Sequence, residues 1–391
     1  MAIPLKYNLR NLLVRKMTTL ATAGGIALVV VVTILLLSLV AGLKRMLAAT
    51  GSVNNLVVTR KGATNDGSSS VPRDAVQALR YLPGIARTPE GEPLVSPELI
   101  SQPFFRPKGG GRENVLVRGV TPLAYLVHDN VRFIAGRAPR PALGEAAVGI
   151  AASRRYEGAG LGETLEFGRR KWTVVGIFTA DGSAFESEVW VDVEDLFNDA
   201  NRSTYSGVRL TAAPGADRDA LIRRIADDPR ISLEAKPEVD YYSEQAEGAN
   251  TLYLLTLVLA VIMGTGAIFG AMNTMFAAVT HRTAEIGTLR ALGFSRGAVL
   301  VAFVRESVFL ALIGYVGGVL LGAGAVTVVN VLIHGVAFNL ASFSTAVVIL
   351  RLSPMILLIS LILAVSMGVF GGFLPARRAA RLRVTEALRR A

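Results

Sequence analysis

Four stretches of this chain run without a single Asp, Glu, Lys or Arg: Met17–Leu43, Gly248–Thr280, Ser307–Ile333 and Leu352–Ala376. A helix needs about 20 consecutive apolar residues to cross the hydrocarbon of a bilayer. In that medium every backbone polar group must be bonded within the segment, which leaves helices as the form such runs can take. A helix in the core of a water-soluble protein needs no such length. Composition points the same way: of 391 residues 51% are hydrophobic and only 18% charged, and the mean hydropathy is +0.46. Such a chain is not disordered. The first run follows a basic start, as a signal peptide would, but it is longer than the roughly 7–15 apolar residues of a signal h-region. It reads as an uncleaved anchor.

The charge sits where a membrane topology would put it. The net charge is +11, which on its own could suggest nucleic acid. Yet residues 46–250 hold 24 basic and 27 acidic side chains, whereas 1–16 hold four basic and no acidic ones. Residues 281–306 hold four Arg and two Glu, and 377–391 hold six Arg and one Glu. The basic excess therefore flanks the apolar runs, a positive-inside pattern rather than a nucleic-acid footprint. It places both termini and the 281–306 loop in the cytoplasm. The 46–250 segment is then external, since long loops translocate largely regardless of charge. Lys44 and Arg45 can snorkel to the outer headgroups.

The expected fold is an α-helical membrane protein with four transmembrane helices and a large extracytoplasmic α/β (α+β) domain between helices 1 and 2. Residues 1–16 read as an amphipathic helix on the cytoplasmic surface, with Leu5, Leu9, Leu12 and Leu13 on one face and Lys6, Arg10 and Arg15 able to reach anionic lipid. The spans take 17–45, 248–280, 307–333 and 352–376. The external domain takes 46–247, the coupling loop 281–306, a short external loop 334–351, and a basic tail 377–391.

Within the external segment, strands are expected at Asn55–Thr59, Glu113–Val120, Val189–Val193 and Val208–Leu210. A hairpin is expected between Thr164–Phe167 and Lys171–Phe178, turning at Gly168. Pro72–Leu82 and Ala216–Asp227 read as helices, with Ile231–Ala235 closing a β-α-β unit. Val239–Gly248 enters the second span without a breaker, so the helix should project beyond the membrane as a stalk.

Most catalytic chemistry is absent. There is no Cys and there are three His, so thiolate catalysis and Cys-based metal sites are excluded. No G-x-x-x-x-G-K-[ST], H-E-x-x-H or G-x-S-x-G occurs, and in Pro107-Lys108-Gly109-Gly110-Gly111 the Lys stands on the wrong side for a P-loop. His128–Asp129 reads as a surface pair, and Glu186 and Glu188 as solvated acids. The spans hold no acid for a proton relay.

Small residues recur four apart inside the spans: Gly266 and Gly270; Gly314, Gly318 and Gly322; Gly368 and Gly372. That spacing lets helix backbones approach closely. Asn273 is a lone amide within the second span and needs an internal partner or an interfacial position. Between spans two and three, Arg282, Glu285 and Leu289 fall on one helical face with Ile286 and Arg290 beside it, and Gly293 is placed to end the helix. This charged and apolar surface fits docking to a protein better than lying on lipid.

Arg282-Thr-Ala-Glu-Ile-Gly-Thr-Leu-Arg-Ala-Leu-Gly293 resembles the signature that follows the second span in the MacB/FtsX-like permeases of ABC transporters. Leu374-Pro-Ala-Arg-Arg-Ala-Ala-Arg381 and Thr385-Glu-Ala-Leu-Arg389 reinforce it, and Lys171–Phe178 with Val189–Val193 is similar to that family's periplasmic core domain. The resemblance implies a dimeric, non-enzymatic permease in a bacterial inner membrane, working with a second copy or a paralogue. A separate ABC ATPase, in two copies and holding the ATP and Mg, would dock on Arg282, Glu285, Ile286, Gly287, Leu289, Arg290 and Gly293. The chain itself would bind no cofactor, no metal and no nucleic acid. ATP-driven motion would pass by mechanotransmission through the stalk to the periplasmic domain, for efflux or for lipid or lipoprotein movement. That domain would divide into a membrane-near part, 46–95 with 200–245, and an inserted outer part, 96–199, facing a periplasmic adaptor or substrate protein. The alternative is a signalling permease that activates a cell-wall hydrolase. A membrane-anchored sensor of another family is the third reading.

Overall fold

A computed structural model describes residues 16–339 and 345–382. The amphipathic start at 1–15, the tail beyond 382 and the motif at Thr385–Arg389 lie outside the described residues. The chain forms two compact units. One is helical, built from Thr251–Asn330 with the stretches up to Ala41 and from Leu350 onward; the other comprises Gly42–Asn250 and Val331–Ile349.

Among the described residues, four helices are long and apolar enough to cross a membrane. They are α1 (Lys16–Ala48), α7 (Glu238–His281), α9 (Arg296–Val331) and α10 (Pro354–Ala380). The fourth begins where its sequence directs: Ser353 caps it by accepting the Ile356 N–H, and Pro354 occupies the first turn, where no amide donor is needed. Helix α7 is continuous over 44 residues, so the polar run Val239–Gly248 and the second apolar run share one helix.

Glycines set the packing of the helical unit. A Cβ on Gly314 would stand 2.6 Å from the Ala23 carbonyl, and one on Gly318 2.7 Å from Val30. Gly322 faces Ile34 at 3.2 Å. This row is therefore the seam between α9 and α1. Gly368 meets Ala311 at 2.8 Å and Gly372 meets Ser307 at 2.5 Å, which seats α10 on α9. Gly266 and Gly270 have nothing within 4 Å of a Cβ, and Asn273 is exposed. The second-span row thus has no partner among the described helices.

The α/β unit is built on a ten-stranded mixed sheet in the order β12-β1-β11-β2-β5-β10-β7-β9-β6, with β8 on β9. Its strands are β1 (Asn55–Arg60), β2 (Val95–Ser101), β5 (Val117–Val120), β6 (Arg132–Gly136), β7 (Glu145–Gly149), β8 (Thr164–Phe167), β9 (Arg170–Thr179), β10 (Val189–Asp192), β11 (Gly207–Thr211) and β12 (Leu233–Pro237). The pairs β5–β10 and β7–β9 are parallel and the others antiparallel. β3 (Phe104–Phe105) and β4 (Glu113–Asn114) form a separate ribbon. The single strand expected over 113–120 is thus two, with Glu113 drawn off to Arg155 at 2.5 Å.

The turn residues explain local boundaries. Gly168 joins β8 to β9 at φ +65, and a Cβ there would lie inside the Asp199 carboxylate, so only glycine fits. Pro72 stands immediately before the first turn of α2 (Arg73–Arg80). Asp192 caps α5 (Val193–Ala200) and Asp217 caps α6 (Arg218–Asp227), each through its carboxylate. The remaining short helices are α3 (Ala124–Val127) and α4 (Ile150–Arg155). The core packs Leu56, Val58, Val117, Val189, Val191 and Trp172 between sheet and helices, with Trp172 stacked on Phe167 at 5.0 Å. The expected outer part 96–199 and membrane-near part share this one sheet across β2–β11. The loop expected over 334–351 contains a β-hairpin, β13 (Val336–Asn339) with β14 (Thr345–Val348).

Candidate functional site

The helix expected between the second and third apolar runs is present as α8 (Thr283–Ala291). Gly293 follows it at φ +91, the left-handed geometry that ends a helix. Arg290 donates to the Phe294 carbonyl at 2.9 Å and closes the turn. Which side chains face outward differs from the helical-wheel reading. Arg282 is not on the outer face: it is 5% exposed, and its Nη1 lies 3.0 and 2.9 Å from the two Glu306 oxygens. Ile286 and Gly287 are buried, Ile286 in a cluster with Met275, Val279, Val299, Phe303 and Ala379. Leu289 and Arg290 are half-buried. Outward stand Glu285, Thr288 and Leu292, the last 71% exposed. Helical spacing does group Arg282 with Ile286 and Leu289, and the Ile286 N–H still bonds the Arg282 carbonyl; what spacing could not say is that this face turns inward toward Glu306 of α9. Leu292 lay inside the motif, but nothing in its spacing singled it out.

A second constellation, invisible in the sequence, lies in the α/β unit. Arg118 of β5 bonds Glu188 through Nε and Nη2, both at 2.7 Å, and Glu98 of β2 through Nη1 at 2.7 Å. Arg209 of β11 lies 2.8 Å from Glu98 and 2.5 Å from Asp66. His128 Nε2 is 2.7 Å from the other Glu98 oxygen. All these groups are buried. His128 is thus not part of a surface pair, and Glu188 is not a solvated acid: its Oε2 also accepts the Trp190 indole N–H at 2.8 Å. Burial alone would raise the Glu98 carboxyl, but the charges of Arg209 and Arg118 and the hydrogen bond with His128 outweigh it and hold it well below the usual carboxylate range. Burial likewise works against charged Arg118 and Arg209, and their carboxylate neighbours reverse it, so both guanidiniums are held firmly protonated.

This cluster holds the first turn of α7. Tyr241 donates to Asp66 at 2.7 Å, and Arg209 Nη2 lies 3.4 Å from the Tyr242 hydroxyl. Glu238 accepts from the Ser52 amide and from Asn55, each at 3.0 Å. Burial pushes both tyrosine hydroxyls up from their ordinary value. Two further attachments converge on the turn Ala184–Ser187 beside Glu188. Thr50, just past α1, accepts the Ala184 N–H at 3.0 Å. The Val347 N–H of β14 donates to Ser187 at 2.9 Å. The ends of α1, α7 and the β13–β14 hairpin are therefore tied to one small region of the α/β unit. Among the described residues no group of three or more His, Asp or Glu could hold a metal.

Residues 19–228 match the MacB-like periplasmic core domain, and residues 257–384 match the FtsX-like permease C-terminal model. The chain belongs to the MacB/FtsX-like permease family. Its relatives in this family include ABC transporter permeases, and its four apolar helices fit a multi-pass membrane protein. An uncharacterized ABC transporter permease of Methanocaldococcus jannaschii is 29% identical over 241 residues, 59% of this chain and 57% of that protein. The macrolide export ATP-binding/permease protein MacB of Chlorobium luteolum is 28% identical over 260 residues, 62% of this chain and 37% of that one. This permease therefore spans just over half of the first relative and little more than a third of the second. The periplasmic region of MacB from Actinobacillus actinomycetemcomitans aligns at a TM-score of 0.39 with 12% identity, covering 51% of this chain and 94% of that one.

Proposed function

We propose that this chain is the membrane subunit of an ABC transporter that relays the ATP-driven motion of a separate ATPase to an extracytoplasmic α/β domain, for export or for lipid or lipoprotein movement. The observation that carries this reading is the single helix α7. Its first turn is bonded into the buried charge cluster, and its last residue leads through Arg282 directly into α8. A helix without a break transmits displacement along its axis, whereas a loop would absorb it.

The docking surface is the outward face of α8, made by Glu285, Thr288 and Leu292. A partner of this type carries ATP and Mg; this chain contributes the apolar anchor Leu292 and the carboxylate of Glu285. The exposed face of α7 bearing Gly266, Gly270 and Asn273 is where a second permease copy or paralogue would pack, since an amide facing lipid gains from an interhelical partner.

Crosslinked pull-down of the full chain from membranes should recover an ABC ATPase. Leu292→Asp and Glu285→Lys should each weaken that association by about tenfold or more, because a buried contact becomes an unpaired or repelling charge. Wild-type recovery with both variants would remove α8 as the docking element. Recovery of a cell-wall hydrolase, with no exported or lipid cargo, would favour the signalling alternative.

A further inference from the structure

We infer that Arg282 is a positioning residue that locks the coupling helix to the third span, and not a contact for the ATPase. The inference rests on the proposed function and concerns how α8 does its work.

Arg282 is the single residue between α7 and α8, with φ −108 and ψ 19, outside the helical geometry of both neighbours. Its backbone still bonds each side: its N–H donates to Val279 at 3.2 Å, and its carbonyl accepts the Ile286 N–H at 3.0 Å. A one-residue break of this kind can pivot. The side chain opposes that freedom. It turns inward to Glu306 of α9, and both side chains are under 8% exposed. One turn further on, Ile286 enters an apolar cluster drawn from α7, α9 and α10.

The choice of an ion pair here is informative. Apolar side chains of similar volume would hold two helices together as well or better, because burying two charges is costly. What a charge pair adds is register: it is satisfied in one arrangement and heavily penalised in a slipped one. Arg282 and Glu306 therefore fix the angle of α8 against α9. A push on Leu292 and Glu285 then moves α7 and α9 together and is not lost in rotation about residue 282. Since Arg282 is buried beneath α8, it does not reach a docked partner.

The test separates binding from stimulation, using the full chain in proteoliposomes with the ATPase it recruits. Arg282→Gln and Glu306→Gln keep the side-chain shape and remove the charge pair. Each should leave ATPase association within about threefold of wild type, while permease-stimulated ATP hydrolysis falls about tenfold. The swap Arg282→Glu with Glu306→Arg should restore stimulation. Where the Gln variants reach the membrane poorly, Arg282→Lys keeps the pair of charges and should stay stimulated within about threefold. Single variants with wild-type stimulation, a swap that stays uncoupled, or association that falls in step with stimulation would each overturn the inference. Leu292→Asp, which should lose association itself, is the control. A wild-type chain that recruits no ATPase sinks the proposed function and this inference with it; a stimulated wild type with unaltered variants sinks this inference alone.

Discussion

Arg118 shows how much can hang on one buried cation. Its guanidinium is shared between Glu188 and Glu98, and Glu98 is shared again with Arg209 and His128. Arg118→Met would leave two carboxylates without that charge in a site closed to water, at a cost of about 3–5 kcal/mol. The expected result is early thermal unfolding of the α/β domain in the detergent-solubilised chain; an unchanged midpoint would show that Arg209 alone suffices. The same cluster sets an acid limit. The folded-state value of Glu98 lies below its unfolded value of about 4.3, so its contribution is complete above that pH and is lost as pH falls toward the folded value. Melting midpoints should hold between pH 7 and about 5 and drop below about 4. A loss already complete at pH 5 would contradict this.

The stalk and the glycine seam can be tested as elements. Gln245→Pro with Ala246→Pro removes helical hydrogen bonds within α7 and costs about 3 kcal/mol or more per site. ATPase association should survive, because α8 is untouched, while cargo movement falls. Movement at the wild-type level would show that the stalk is not the route of transmission. Within the helical unit, Gly318→Leu would drive a side chain into Val30 and the Ala27 carbonyl, an overpacking cost of about 1–3 kcal/mol. Gly266→Leu meets no neighbour, so the chain should melt normally while dimer crosslinking through the α7 face falls. Equal effects of the two substitutions on melting would mean that both rows pack inside one chain.

Across the chain as a whole, the basic flanks make a firm topological prediction. A reporter active only outside the cytoplasm should work when fused near Gly182 and fail at Ser295; activity at Ser295 would break the four-span arrangement. Much of the architecture is legible in the sequence alone. The four spans follow from apolar runs too long for anything but a bilayer. The hairpin at Gly168, the helix over Ala216–Asp227 and the stalk follow from a turn glycine, local helical pattern and the lack of a breaker between Val239 and Gly248, whereas α5, capped by Asp192, goes unread. These are local properties, set by neighbours in the chain. The charge cluster is not legible there, because Asp66, Glu98, Arg118, Glu188, Arg209 and Glu238 are scattered over 173 positions, and an isolated Arg or Glu in a sequence reads as surface. Only the sheet order, which sets β2 between β11 and β5, brings them together. The inward turn of Arg282 has the same origin. A helical wheel groups Arg282 with Ile286 and Leu289 on one face, but whether that face meets solvent or the helix bundle is decided by partners such as Glu306 on another helix.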